Sequence, residues 1–166
     1  GANGTPLRPG MAVMIDMAGN YGVYCSDMTR TYSIGELPEE AYRLHELSRR
    51  MHREIIQQAG PGTSCASIYN DCLTAVKEAG AEPYFMGTEL QAQFVGHGLG
   101  LQINELPVLM GRSKDTLQPG MVVAFEPKFV LPHIGAVGIE NTYLVTETGI
   151  ENLTTAPEEI IDLSKH

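Results

Sequence analysis

Four acidic residues and one histidine carry the chemistry this sequence can do: Asp16, Asp27, Glu126, Glu140 and His97. The acids come in two matching sets. Residues 7–16 read L-R-P-G-M-A-V-M-I-D, and residues 117–126 read L-Q-P-G-M-V-V-A-F-E. Each is a Pro-Gly turn, an apolar run, and a carboxylate as the run ends. A second acid follows in both copies, Asp27 in S-D-M-T and Glu140 in I-E-N-T, with Thr29 or Thr142 two places beyond it. Any one of these acids alone would read as an ordinary hairpin-end residue. The repeat places them at matching positions, which argues for a shared site. Two strand pairs with two acids each predict a pseudo-twofold α+β fold whose four carboxylates meet at its centre.

Four carboxylates converging without cations would repel, and some would be forced to protonate. Two divalent ions would cancel the four charges. Oxygen-rich ligation with one imidazole suits Mn or Co, with Fe or Zn as further options, and does not suit Cu or a thiolate cluster. Two such ions about 3.5–4 Å apart can share a water, lower its pKa and polarise a carbonyl. That is hydrolytic chemistry. His97 is placed to join them by its setting, F-V-G-H-G-L-G-L. Glycine on both sides of a histidine implies backbone at close quarters, here read as a tight loop.

The elements that must position these groups follow from pattern. Residues 11–17 read as a strand ending near Asp16, Ala18-Gly19-Asn20 as a turn, and residues 21–32 as the returning strand. Asp16 and Asp27 would then face each other across a hairpin, about 5 Å apart. Leu37-Pro38-Glu39-Glu40 opens a helix, with Leu44, Leu47, Met51 and Ile55 on its apolar face. Thr63 or Ser64 caps a second helix, which carries Ile68, Cys72 and Val76 and ends at Gly80. His45 and His52, seven apart among Arg and Glu, read as solvated surface residues, and His133 as an exposed loop residue. Residues 117–130 and 136–145 predict the second strand pair, 146–149 a turn, and 150–154 a return. Residues 1–10 read as a lead-in and 156–166 as a polar tail, frayed or a short helix.

A length of 166 residues implies one domain over 1–166, with ordinary globular composition. A net charge of -9 argues against nucleic acid or an anionic membrane as the main partner. The apolar runs are too short to span a bilayer. Cys25, Cys65 and Cys72 form no C-x-x-C pair, which favours a reduced, cytoplasmic setting and buried apolar roles. The repeat also predicts something missing. Two helices and the His97 loop precede the second copy, whereas only a short lead-in precedes the first. The expectation is that an N-terminal half of the fold is absent. The chain would be completed by an upstream segment of the same protein or by another chain, a homodimer partner included. The uncovered hairpin should expose apolar residues.

The stretches D-M-A-G-N-Y-G-V-Y-C-S-D-M-T-R-T, G-H-G-L-G-L-Q-I-N-E-L-P, F-E-P and G-I-E-N-T resemble the pita-bread metallopeptidases: Xaa-Pro dipeptidases (prolidases), aminopeptidase P and methionine aminopeptidase. The resemblance covers nearly the whole chain and implies the pita-bread fold. It implies that Asp16 holds one metal, that His97 and Glu126 hold the other, and that Asp27 and Glu140 bridge both. The spacing from Glu126 to Glu140 is more similar to the Xaa-Pro peptidase branch. Two positions depart from the family pattern. Where the family has a second catalytic His, seven residues after His97, this chain has Asn104. Where prolidase-like members carry an Arg, it has Gly138. Asn can donate a hydrogen bond but cannot shuttle a proton, and Gly cannot bind a carboxylate. On this reading an Arg restored at 138 should favour free dipeptides.

The function implied is a dinuclear hydrolase of short peptides in which a metal-bridged water attacks the scissile carbonyl, with His97 and Asn104 at the reacting centre. Two other functions share the resemblance. One is a different enzyme on the same fold, a creatinase-like C–N hydrolase or a lyase. The other is a metal-binding module with little peptidase activity.

Overall fold

The computed structural model describes residues 4–165. The first three residues of the expected lead-in and the last residue of the tail lie outside the described residues. Strand β1 (Met11–Tyr21) turns directly into β2 (Tyr24–Ile34). Their antiparallel ladder runs unbroken from Met11↔Ile34 to Tyr21↔Tyr24. The turn therefore lies at Gly22-Val23, four residues beyond the expected one. Gly22, at φ +62°, supplies the left-handed residue the turn needs, while Gly19 and Asn20 continue the ladder opposite Ser26 and Cys25. Ile15, Val23 and Tyr24 of this hairpin are exposed.

Helix α1 (Glu39–Gln58) begins after Pro38, which cannot donate and is preset in φ for a helix start, with Glu39 and Glu40 in the first turn. Its buried stripe includes Leu44, Leu47, Met51 and Ile55, as the spacing predicts. His45 and His52 lie on the same stripe and are buried, contrary to the expectation of surface histidines. Hydrogen bonds offset much of the cost of burying them: both ring nitrogens of His52 find partners, whereas His45 is bonded through Nε2 and its Nδ1 is buried without a partner among the described residues. His52 Nδ1 lies 2.7 Å from the Tyr143 hydroxyl and its Nε2 3.2 Å from the Ile139 carbonyl. His45 Nε2 lies 2.7 Å from the Glu158 carbonyl. Helix α2 (Cys65–Glu78) is capped by Ser64, whose Oγ accepts from the Ser67 amide.

The second half is a five-stranded sheet in the order β4-β3-β5-β8-β9, with a separate β6–β7 ribbon. Its strands are β3 (Gly96–Gly98), β4 (Glu105–Val108), β5 (Val122–Phe125), β6 (Lys128–Leu131), β7 (Gly135–Gly138), β8 (Asn141–Val145) and β9 (Ile150–Asn152). The expected single strand over 117–130 is thus two, β5 and β6, split at Glu126-Pro127. Proline has no N–H for the ladder, so pairing breaks there and the chain changes sheet. The strand expected over 136–145 is split in the same way, into β7 and β8, around Glu140. Ser48 of α1 plugs this double break: its Oγ donates to the Pro127 carbonyl at 2.7 Å and accepts from the Ile139 amide at 3.2 Å.

The tail is not frayed. Strand β10 (Ile161–Asp162) pairs parallel with β2. Buried Arg30 ties the preceding segment down, donating from Nε to the Pro157 carbonyl at 2.8 Å and from Nη2 to the Ala156 carbonyl at 3.0 Å. Cys65 and Cys72 are buried free thiols, as expected, whereas Cys25 is half-buried. No helix among the described residues is long and apolar enough to cross a membrane.

Candidate metal centre

Asp16 and Asp27 are not directly opposed. Asp16 pairs with Thr29, and Asp27 pairs with Ala18. The two acids are diagonal neighbours on one face, a relationship that spans about 7–8 Å between Cα atoms. Asp27 is buried, while the Asp16 side chain is 58% exposed.

His97 sits in β3, a short interior strand rather than a loop, between β4 and β5. The flanking glycines are needed for space. A Cβ at Gly96 would lie 2.3 Å from the Ala124 carbonyl oxygen, and one at Gly98 2.3 Å from that of Leu106. His97 Nδ1 lies 3.1 Å from the Gly98 carbonyl. A carbonyl only accepts, so Nδ1 is the donor here and Nε2 is the nitrogen left to ligate a metal. Nε2 faces Glu126 Oε1 at 3.5 Å and Asp27 Oδ2 at 3.8 Å. Donor atoms of Asp27, His97 and Glu140 all lie within 4.8 Å of one another.

Glu140 arrives from the other half of the fold. It forms an isolated bridge with Thr29, whose Oγ1 donates to Glu140 Oε2 at 2.6 Å. Thr142 returns the contact, donating to the Asp27 carbonyl at 2.8 Å. The paired threonines noticed in the repeat therefore bind the two acid-bearing strands together. Burial pushes the Glu140 carboxyl up to about 8, with the Glu126 and Asp27 charges adding and Lys128 opposing. Burial also raises Asp27, and the Asp16 charge adds to it. These carboxylates resist ionising on their own, and an oriented imidazole nitrogen lies among them. The donor set fits a divalent cation that would offset the repulsion.

One functional group escaped sequence reasoning. Lys128, two residues after Glu126, puts its Nζ 2.7 Å from Glu126 Oε2, 3.3 Å from Asp16 Oδ2 and 3.8 Å from Glu140 Oε2. Burial alone would lower its pKa, but the Glu126 and Glu140 charges outweigh burial and hold it up at about 12. The signal available was the basic residue at i+2 of the acid, on the same strand face once Pro127 is passed.

No hydrogen bond joins Asn104 to the four acids among the described residues. That residue is exposed between β3 and β4. His133 is exposed in the turn between β6 and β7. Gly138 has φ +138°, and a Cβ there would lie 2.7 Å from the Pro127 carbonyl oxygen. An open groove of about 1060 Å³ runs beside Asp27, with Met17, Leu99, Leu101, Leu106 and Met121 among its apolar walls.

A strand pair from each half, with one carboxylate-rich face between them, is the pita-bread α+β arrangement. The chain matches the sequence profile of metallopeptidase family M24 over residues 1–147 and belongs to that family. It is 32% identical over 155 residues to the Xaa-Pro dipeptidase of Pyrococcus furiosus, covering 93% of this chain and 43% of that protein. Among solved structures, the prolidase from Pyrococcus horikoshii OT3 matches with a TM-score of 0.85 at 31% identity, covering 96% of this chain and 44% of that one. The X-Pro aminopeptidase from Thermotoga maritima MSB8 gives a TM-score of 0.84 at 28% identity, covering 93% and 42%. The chain thus spans less than half the length of these relatives.

Proposed function

We propose that residues 1–166 form a catalytic domain of a metal-dependent hydrolase of short peptides, an Xaa-Pro dipeptidase or aminopeptidase. Asp16, Asp27, His97, Glu126 and Glu140 would hold two divalent ions, Mn or Co first and Fe or Zn as further options. The convergence of donor atoms of Asp27, His97 and Glu140 within 4.8 Å carries this reading. The relatives' names, Xaa-Pro dipeptidase and prolidase, support the substrate class. Ions held there would lower the pKa of a water and polarise a carbonyl. The protein's own part is to orient His97 through Gly98 and to fix Glu140 through Thr29. Carboxylates of the centre are at hand to take the proton the water gives up. The apolar groove beside Asp27 would seat substrate side chains. Three free cysteines fit a reduced, cytoplasmic setting.

A second reading, a C–N hydrolase or lyase on the same fold, is favoured by Gly138, which offers no cation for a peptide carboxylate. Calorimetric titration of the full-length protein with Mn or Co, paired with hydrolysis of an Xaa-Pro panel, tests both. Asp27→Ala and Glu140→Ala should abolish tight binding, and Asp16→Ala should retain one ion. No binding to the intact protein would end the metal reading. Binding without Xaa-Pro hydrolysis would favour the second.

A further inference from the structure

The five donors of the centre are not held alike. Asp27, His97 and Glu140 face one another. Asp16 Oδ2 and Glu126 Oε2 lie against the ammonium of Lys128, at 3.3 and 2.7 Å, with Glu140 Oε2 farther off at 3.8 Å, while the other oxygen of Glu126 stays 3.5 Å from His97 Nε2. The Lys128 side chain is only 15% exposed, so this is an enclosed cation rather than a surface charge.

The backbone holds that cation in place. Lys128 opens β6 directly after Pro127, and its carbonyl accepts from the Met86 amide at 2.8 Å. Its cross-strand partner is Gly138, which has no side chain to compete for the space above the ribbon. The four-methylene stem can therefore cross to the acids of both halves.

Charge counting sets the consequence. With metal bound, Asp16, Asp27, Glu126 and Glu140 would bring four negative charges, and an imidazole that ligates a metal adds none. One divalent ion and the ammonium leave a single negative charge. Two divalent ions and the ammonium leave an excess positive charge in an enclosed site, which is costly.

We propose that Lys128 is a built-in cation that makes the two metal subsites unequal: one ion binds at Asp27, His97 and Glu140, and a second enters on the Asp16 side only by displacing the ammonium. This rests on the metal-centre reading above and deepens it.

The test is Co titration of the full-length protein, followed by visible absorption and by metal content after dialysis. The wild type should retain close to one tight ion, with the second weaker by about a hundredfold. Lys128→Met, of similar length but uncharged, should tighten the second ion by at least roughly tenfold and leave the first unchanged. Two equally tight ions in the wild type would overturn the inference while leaving the metal centre intact. So would a second ion whose affinity Lys128→Met does not alter. No tight ion in either protein would overturn the metal centre itself. Should Lys128→Met fail to fold by circular dichroism, Lys128→Gln makes the same comparison, and an unaltered second-ion affinity there would equally overturn the inference.

Discussion

Thr29 and Glu140 join the two halves of the repeat at both levels of the chain. The Glu140 amide donates to the Thr29 carbonyl at 3.1 Å, and the Thr29 hydroxyl donates to the Glu140 carboxylate at 2.6 Å. A backbone bridge thus fixes where Glu140 stands, and a side-chain bond fixes which way its oxygens point. Because Arg30 Nη1 also donates to both the Thr29 and Glu140 carbonyls, the bridge is backed by a buried cation.

Removing the hydroxyl should loosen the site without unfolding it. Thr29→Val keeps the shape and the backbone bridge but deletes the donor to Glu140. Hydrogen bonds that orient metal ligands are typically worth about 10–100-fold in metal affinity. Thr29→Val should therefore weaken Mn or Co binding within that range, and Thr29→Ser should keep most of it. Chelator-competition titrations check this. Equal affinity in Thr29→Val and the wild type would mean the bond does not orient Glu140.

The acids were legible because a repeat marks them twice over, and no local rule was needed to see it. The elements around them were less legible where a local signal competed with a longer-range one. Ala18-Gly19-Asn20 has turn composition, yet cross-strand pairing carries the ladder to Gly22. Pro127 sits inside an apolar run that reads as one strand, and its missing N–H splits that run between two sheets. His45 and His52 were misplaced because polarity outweighed their i, i+7 spacing, which puts them on the buried stripe. Lys128 was invisible for a different reason. A lone Lys reads as solvated until the fold shows three carboxylates within its reach.

Gly138 yields a prediction opposite to the one the family pattern suggests. An Arg there was expected to improve dipeptide binding. The structure gives no room for it: the backbone is at φ +138°, and a Cβ would lie 2.7 Å from the Pro127 carbonyl oxygen and 3.1 Å from Lys128 Cα. Strain of this kind costs about 1–3 kcal/mol at a non-glycine residue. Gly138→Ala and Gly138→Arg should both lower stability by at least that much in urea unfolding, and Gly138→Arg should not lower KM for free dipeptides. A stable Gly138→Arg protein with improved dipeptide KM would show that the β6–β7 ribbon can rearrange.

The buried histidines predict acid sensitivity. Burial pushes His52 down from 6.5 to about 3, and burial lowers His45 as well. The unfolded chain takes up protons near pH 6.5 while the folded chain does not. The stabilisation is therefore present above pH 6.5 and is lost as pH falls, by about 1.4 kcal/mol per pH unit for His52, with His45 acting in the same direction. His52→Gln keeps hydrogen-bonding capacity but does not titrate. Thermal melts between pH 7 and 4 should show a shallower loss of Tm with acid in His52→Gln than in the wild type. Parallel slopes would place the acid sensitivity elsewhere.

Glu140 predicts the opposite trend on the alkaline side, and only when divalent ions are removed. Burial, with the Glu126 and Asp27 charges adding, raises its carboxyl from 4.5 to about 8. The folded state then keeps a proton that the unfolded state has released. Stability is greatest below the unfolded value and declines as pH rises towards 8, by about 1.4 kcal/mol per pH unit. Above roughly pH 7 the buried His45 and His52 no longer contribute a slope, so the window from pH 7 to 8 reads the carboxylate. In EDTA, Tm should fall across that window. A bound divalent cation replaces the proton as the partner of the carboxylate, so saturating Mn or Co should abolish the fall and raise Tm throughout. Glu140→Gln cannot ionise, and its Tm in EDTA should be flat from pH 7 to 8 and unresponsive to metal. If the wild-type Tm in EDTA is flat or rises across that window, Glu140 is ionised and already balanced in the metal-free fold, and Lys128 alone suffices to neutralise it.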